Sequence, residues 1–166
     1  MTRKLIAPAM LAALAAAAAA SAAPPHAKVM LRSTSLGSVL VDGRGHTLYL
    51  FDADHRGKSA CTGQCAAVWP PLLTAGAPLA GAGLKKGLLT TTKRKDGKLQ
   101  VVYAGHPLYF FSGDARAGQL KGEGIEHFGG RWYVVDAAGK KVEEQSGTTT
   151  TTTTPGYDGG GYGYGP

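Results

Sequence analysis

The chain has 166 residues, of which 43% are hydrophobic and 17% charged, and its formal net charge is +7 at pH 7. That length suits one domain with flanking segments. Only two cysteines are present, which rules out a four-cysteine zinc site, while the basic balance favours an anionic partner.

Residues 1–22 read as a secretory signal peptide. Arg3 and Lys4 precede an apolar run from Leu5 to Ala20, and the small residues Ala20, Ser21 and Ala22 suit cleavage near Ala22 or Ala23. The run is mostly alanine, too weakly apolar for an anchor, and no other stretch is long enough to cross a bilayer as a helix, so no transmembrane anchor is expected in the mature chain. Without Arg3 and Lys4, 16 of the 18 basic residues face 11 acidic ones, a net of +5. Residues 23–28 are a short linker, and residues 29–145 are expected to form a mainly β, small antiparallel domain with at most short helical turns.

In chain order, the first strand signal is the alternation of Val39 and Val41, followed across a Gly-containing link by a more apolar strand with Leu48 and Leu50 on one face and Tyr49 and Phe51 on the other. Apolar residues on both faces imply burial on both sides. Cys61 and Cys65 follow in "CTGQC". In an oxidising compartment such a pair is expected to close as a disulfide, and the spacing fits neither C-x-x-C-H haem attachment nor a C-x-x-C redox motif. A turn of helix after Cys61 would stop at Pro70 and Pro71. "GLLTTTKR" predicts a strand entering an Asp96-Gly97 turn, and the cluster Lys93, Arg94, Lys95 and Lys98 around it reads as a solvated hairpin tip. It holds no aromatic residue for base stacking, so nucleic acid is not an expected partner. "RWYVV" predicts a last strand, and residues 146–166, a Thr, Gly and Tyr-rich tail, are expected to stay disordered.

One pattern runs through both halves. "GHTLYLFDAD" at residues 45–54 returns as "GHPLYFFSGD" at residues 105–114, and the agreement extends over units 37–56 and 97–116, which argues for duplication. Each copy is expected to supply a hairpin to one shared β core. Tyr49 and Tyr109 are expected to pack in that core with their hydroxyls bonded to loop backbone, and Asp54 and Asp114 to cap turns. Trp69 and Trp132 are expected as core anchors.

With the copies of Tyr-x-Phe-x-x-Asp at Tyr49, Phe51, Asp54 and at Tyr109, Phe111, Asp114, the chain resembles a bacterial family called secreted repeats of unknown function. That family is also described as predicted lipoproteins with a Tyr-x-[Phe/Trp/Tyr]-x-x-Asp motif. The resemblance extends to "CTGQCAAVWPPLL" and "GGRWYVVDAAGK". It implies an exported envelope protein without an established activity. The first cysteine is Cys61 rather than one at the cleavage site, so a periplasmic or secreted form is expected in place of a lipid-anchored one.

No phosphate loop, G-x-S-x-G, H-E-x-x-H or dinucleotide fingerprint is present, so no catalytic residue and no cofactor are assigned. The expected function is a non-enzymatic binding or structural domain, with an envelope protein or polymer as its partner. The alternative is a metal or redox-cofactor binder in which His46, His106, the motif aspartates or the thiols of Cys61 and Cys65 converge on one ion. A hydrolase with Asp or His as general base is a third reading, which only geometry decides.

Overall fold

A computed structural model describes residues 25–143; the expected leader (1–22) and tail (146–166) lie outside the described residues. The elements are β1 (Lys28–Thr34), β2 (Gly37–Asp42), β3 (Tyr49–Phe51), α1 (Gln64–Val68), β4 (Leu73–Thr74), β5 (Leu79–Ala80), β6 (Leu89–Lys93), β7 (Leu99–Tyr103), β8 (His106–Pro107), β9 (Glu126–His127) and β10 (Gly130–Val134). A single 3-10 turn at Lys86–Leu88 precedes β6. The fold is mainly β and largely antiparallel, with one parallel exception, where Lys28 of β1 lies beside Leu79 of β5.

Two antiparallel hairpins flank the centre. In one, β1 pairs β2 from Val29↔Asp42 to Thr34↔Gly37. In the other, β6 pairs β7 from Leu89↔Tyr103 to Lys93↔Leu99. The second closes at Asp96-Gly97, where Gly97 takes φ 82°, a conformation a side chain disfavours, and Asp96 Oδ1 accepts from Lys98 N at 3.1 Å. β1 is absent from the expectations above. Its burial follows no clean alternation, with Val29 alone fully covered among Lys28, Met30, Leu31 and Arg32, so no period of two announces it.

Each hairpin then turns into a strand that reaches the middle of the molecule. Leu48 N donates to Leu40 O at 3.0 Å, and Leu108 N donates to Val101 O at 2.9 Å. The central strands meet as an antiparallel pair, with Tyr49 N to Tyr109 O at 2.9 Å and Tyr109 N to Tyr49 O at 3.0 Å. β10 lies outside β3, with Val134↔Tyr49 in register, and Pro71 bridges Tyr109 on the opposite side.

Successive side chains of a strand point to opposite faces, so the central strands divide the core in two. Leu48, Leu50 and Leu108 join an aliphatic cluster with Leu40, Val101 and Val135. Tyr49, Phe51 and Tyr109 join an aromatic cluster with Trp69, Trp132 and Val134. Leu48, Tyr49, Leu50 and Phe51 are all buried.

Cys61 and Cys65 are joined as a disulfide with Cα atoms 5.2 Å apart, and Cys65 lies in the first turn of the short α1 that ends before Pro70. Pro lacks the N–H that would continue a helix.

Candidate functional site

The repeated decapeptides meet by crossing. Tyr49 Oη donates to Asp114 Oδ2 at 2.6 Å, and Tyr109 Oη donates to Asp54 Oδ2 at 2.7 Å. Each tyrosine therefore serves the aspartate of the other copy. The geometry follows from the central antiparallel pair, because Tyr49 and Tyr109 stand directly opposite, and the aspartate five residues beyond each one comes within reach of the partner's hydroxyl. The second oxygen of each carboxylate caps a loop, Asp54 Oδ1 accepting from Ala60 N at 2.7 Å and Asp114 Oδ1 from Lys121 N at 3.0 Å.

This changes two expectations, the first of them in part. Both tyrosine hydroxyls donate to motif carboxylates. Of the two only Tyr49 also bonds loop backbone, accepting from Gly122 N at 3.2 Å, and a hydroxyl donating to a loop carbonyl is found instead at Tyr103, whose Oη donates to Ala137 O at 2.8 Å. The local two-residue turn cap belongs to Asp42, Asp96 and Asp136, each accepting from the backbone N–H two residues on. Asp54 and Asp114 close wider loops because their strands end deep in the molecule, where the nearest donor is a phenol from across the central pair.

Around the crossed pairs four rings stack in one column, Phe51 on Trp132 (4.1 Å), Trp132 on Trp69 (3.9 Å) and Trp69 on Phe111 (4.4 Å). Tyr49 meets Trp69 edge-on at 5.5 Å, and Tyr109 meets Trp132 edge-on at 5.1 Å. Both indoles are fully buried, so neither offers a ring face to a ligand. Trp132 Nε1 donates to His127 O at 3.2 Å, whereas Trp69 Nε1 is buried without a partner among the described residues.

One half carries a polar network that sequence reasoning missed. Tyr109 Oη lies 2.8 Å from Ser59 Oγ, and Arg94 donates to Ser59 Oγ at 2.9 Å, to Cys61 O at 2.7 Å and to Gln100 Oε1. Gln100 is fully buried and its Nε2 donates to Leu108 O at 2.9 Å. Arg94 is thus no part of a solvated tip; it folds inward to tie the disulfide loop to β7, since a buried glutamine needs partners for both ends of its amide. The polar Gln100 inside the apolar "LQVVY" is the signal that could have announced it.

Burial pushes the Asp54 carboxyl up to about 6, against the opposing pull of the Ala60 N–H, the Tyr109 hydroxyl and Arg94. Burial, reinforced by the facing carboxylate, raises the Tyr109 and Tyr49 phenols well above their usual range, so both stay protonated donors. Burial lowers His106.

Two clefts flank the crossed motif. One, of about 720 Å³, is lined by His106 with Phe51, Asp52, Asp54 and Lys140. The other, of about 300 Å³, is lined by His46 with Phe110, Phe111 and Asp114. The histidines therefore stand in different clefts, each against the other copy's motif. His46 Nδ1 is 3.5 Å from Asp42 Oδ1, and no group of three or more His, Cys, Asp or Glu among the described residues is arranged to hold a metal ion. Convergence of His46, His106, the aspartates and the thiols on one ion is not what the fold builds, since the crossing sends the two histidines apart and the thiols are joined to each other.

A family model described as secreted repeat of unknown function matches the chain twice, at residues 30–73 and 90–136. The chain belongs to this family. Together the matches span more than half of its length, and each runs from a hairpin through a Tyr-x-Phe-x-x-Asp motif to a few residues past a tryptophan. No curated protein and no solved structure matches the chain. Among the described residues no helix is long and apolar enough to cross a membrane.

Proposed function

We propose that this secreted-repeat protein is a non-enzymatic binding domain of the cell envelope, periplasmic or released, in which the repeated decapeptide is the clasp between two halves. Its partner, a polymer or another envelope protein, meets the charged surface outside that clasp. The observation that carries this reading is that both oxygens of Asp54 and of Asp114 are engaged, one by a backbone N–H and one by a tyrosine hydroxyl. A general base or nucleophile needs an oxygen within reach of substrate. The repeated tyrosines and aspartates are engaged in holding the fold, which leaves binding to the surface.

Exposed Lys93, Lys95 and Lys98 at the β6–β7 turn are the obvious contact points. The test is affinity capture from an envelope extract, comparing the parent with a variant carrying Lys93→Ser, Lys95→Ser and Lys98→Ser. Arg94 is left in place because it holds the disulfide loop. A partner enriched by the parent and lost by the variant is expected; the same partners on both would remove this surface from the reading.

A further inference from the structure

One concave surface, between the turn after the first motif and the second hairpin, is open, and its counterpart, between the turn after the second motif and the first hairpin, is filled. Beyond β3 the chain turns through Arg56 and Gly57, at φ 51° and 70°, between His55 and Lys58, which pair as an isolated bridge. Glycine adopts that conformation freely, whereas a residue with a Cβ pays roughly 1 kcal/mol. The turn forms one wall of a cleft of about 340 Å³, whose other walls include Thr90, Thr91 and Thr92 of β6 and Gly105. Arg56 and Lys58 supply its charge, and no carboxylate lines it. Neither side chain makes an ion pair or hydrogen bond among the described residues, and the hydroxyls of Thr90 and Thr91 are equally free.

The matching surface, where the turn at Gly118 meets the first hairpin, is occupied by the chain itself. Leu40 and Val101 hold equivalent places, since their carbonyls accept from Leu48 N and Leu108 N. The second link is one residue shorter, so the hairpins correspond one residue off the spacing of the decapeptides, and Arg32 opposite Val39 stands where Thr92 stands opposite Gln100. Arg32 Nη1 donates to Gly45 O at 3.2 Å. The guanidinium also lies against Gly118, where an added Cβ would sit 3.2 Å from Arg32 Cζ. A long side chain fills that surface, and a short threonine leaves its counterpart open.

We infer that the open cleft binds a phosphate group of an extracytoplasmic polymer, held by the Arg56 guanidinium, the Lys58 ammonium and the threonine hydroxyls. This rests on the binding-domain reading and names the chemistry of its partner. A guanidinium fork and an ammonium both recognise oxyanions, and a tetrahedral one accepts hydrogen bonds from several directions at once. No aromatic ring lines the cleft, so the phosphate is recognised and not a base. β6 continues from the cleft to exposed Lys93, Lys95 and Lys98, which carry the same sign onward and favour a polyanion over a free ion.

The test titrates the exported protein with a polyphosphate chain of defined length and with a polyuronate of matched charge. Arg56→Gly removes the cation and relieves the positive φ. It is expected to weaken polyphosphate binding about ten-fold, the equivalent of one charge-assisted hydrogen bond, with no fall in melting temperature. Arg116→Gln, the same loss of charge at the equivalent turn beside the filled surface, is expected to leave the affinity within about two-fold. Unchanged binding by Arg56→Gly, equal weakening by Arg116→Gln, or equally tight polyuronate binding would each overturn the inference. Absence of any polyphosphate binding would overturn it too, while the envelope capture above decides the wider binding-domain reading separately.

Discussion

Tyr49 and Asp114 lie 65 positions apart in sequence and share a hydrogen bond, while Tyr49 and Asp54 of the same motif share none. The crossing has an energetic signature. Tyr49→Phe leaves a carboxylate oxygen without its donor and the Gly122 N–H without its acceptor, at a cost of about 1–2 kcal/mol. In denaturant melts, Tyr49→Phe combined with Asp114→Asn is expected to show a coupling of about 1 kcal/mol, and Tyr49→Phe combined with Asp54→Asn is expected to be additive. The reverse result would mean that each motif acts within its own copy. Asp54 also predicts a pH dependence. Its carboxyl, near 3.8 unfolded and about 6 folded, binds its proton more tightly in the folded state. The stability it contributes is complete below about pH 4 and is lost as the pH rises through about 6, some 1–2 kcal/mol once partial solvent contact is allowed for. Melting temperatures of the parent should therefore fall between pH 4 and 7 relative to Asp54→Asn; parallel profiles would contradict the buried-carboxyl account.

At the scale of elements, the aromatic column is where segments far apart in sequence are tied together. Phe51 of β3, Trp132 of β10, and Trp69 beyond α1 occupy successive places in it. The two indoles are matched in position but not in bonding, because Trp132 Nε1 has a carbonyl and Trp69 Nε1 has no partner among the described residues. Both Trp→Phe changes shrink the column, yet Trp132→Phe also strands the His127 carbonyl, while Trp69→Phe removes a buried donor that gains nothing. Trp132→Phe is therefore expected to be the costlier by about 1–2 kcal/mol in denaturant titration. Equal losses would show that ring volume alone matters. The strands "GLLTTTKR" and "RWYVV" were legible because turn residues bounded them. β1 was not, because its burial comes from β2 and β5 beside it and not from a pattern of its own.

At the scale of the whole molecule, the halves exchange contacts across Tyr49 and Tyr109, so neither buries its centre alone. A lone hairpin is marginal in water. Unfolding is therefore expected as one transition, with far-ultraviolet circular dichroism and tryptophan fluorescence tracing the same denaturant curve. A chain ended after residue 84, which retains Tyr49, Asp54 and Trp69 but loses Tyr109, Asp114 and Trp132, is expected to show no cooperative melt. A cooperative melt of that fragment would mean that the first half is a domain by itself.

The β class, the positions of the turns and the identity of the repeated side chains are local properties, written in alternation, in glycine and proline, and in recurrence of the decapeptide at a spacing of sixty residues. These follow from the sequence by itself, since strand period and turn chemistry act over a few residues. Which copy each side chain serves is different. That spacing states that Tyr49 and Tyr109 are equivalent, and it is equally compatible with bonds inside each copy or between copies. The antiparallel pairing of the two central strands decided it, because placing equivalent residues face to face carries each tyrosine to the other's aspartate. The same pairing parted His46 from His106, turned Arg94 inward beside Gln100, and left one cationic cleft open where Arg32 fills its counterpart. Each of these depends on contacts between residues distant in the chain, which only the tertiary structure brings together.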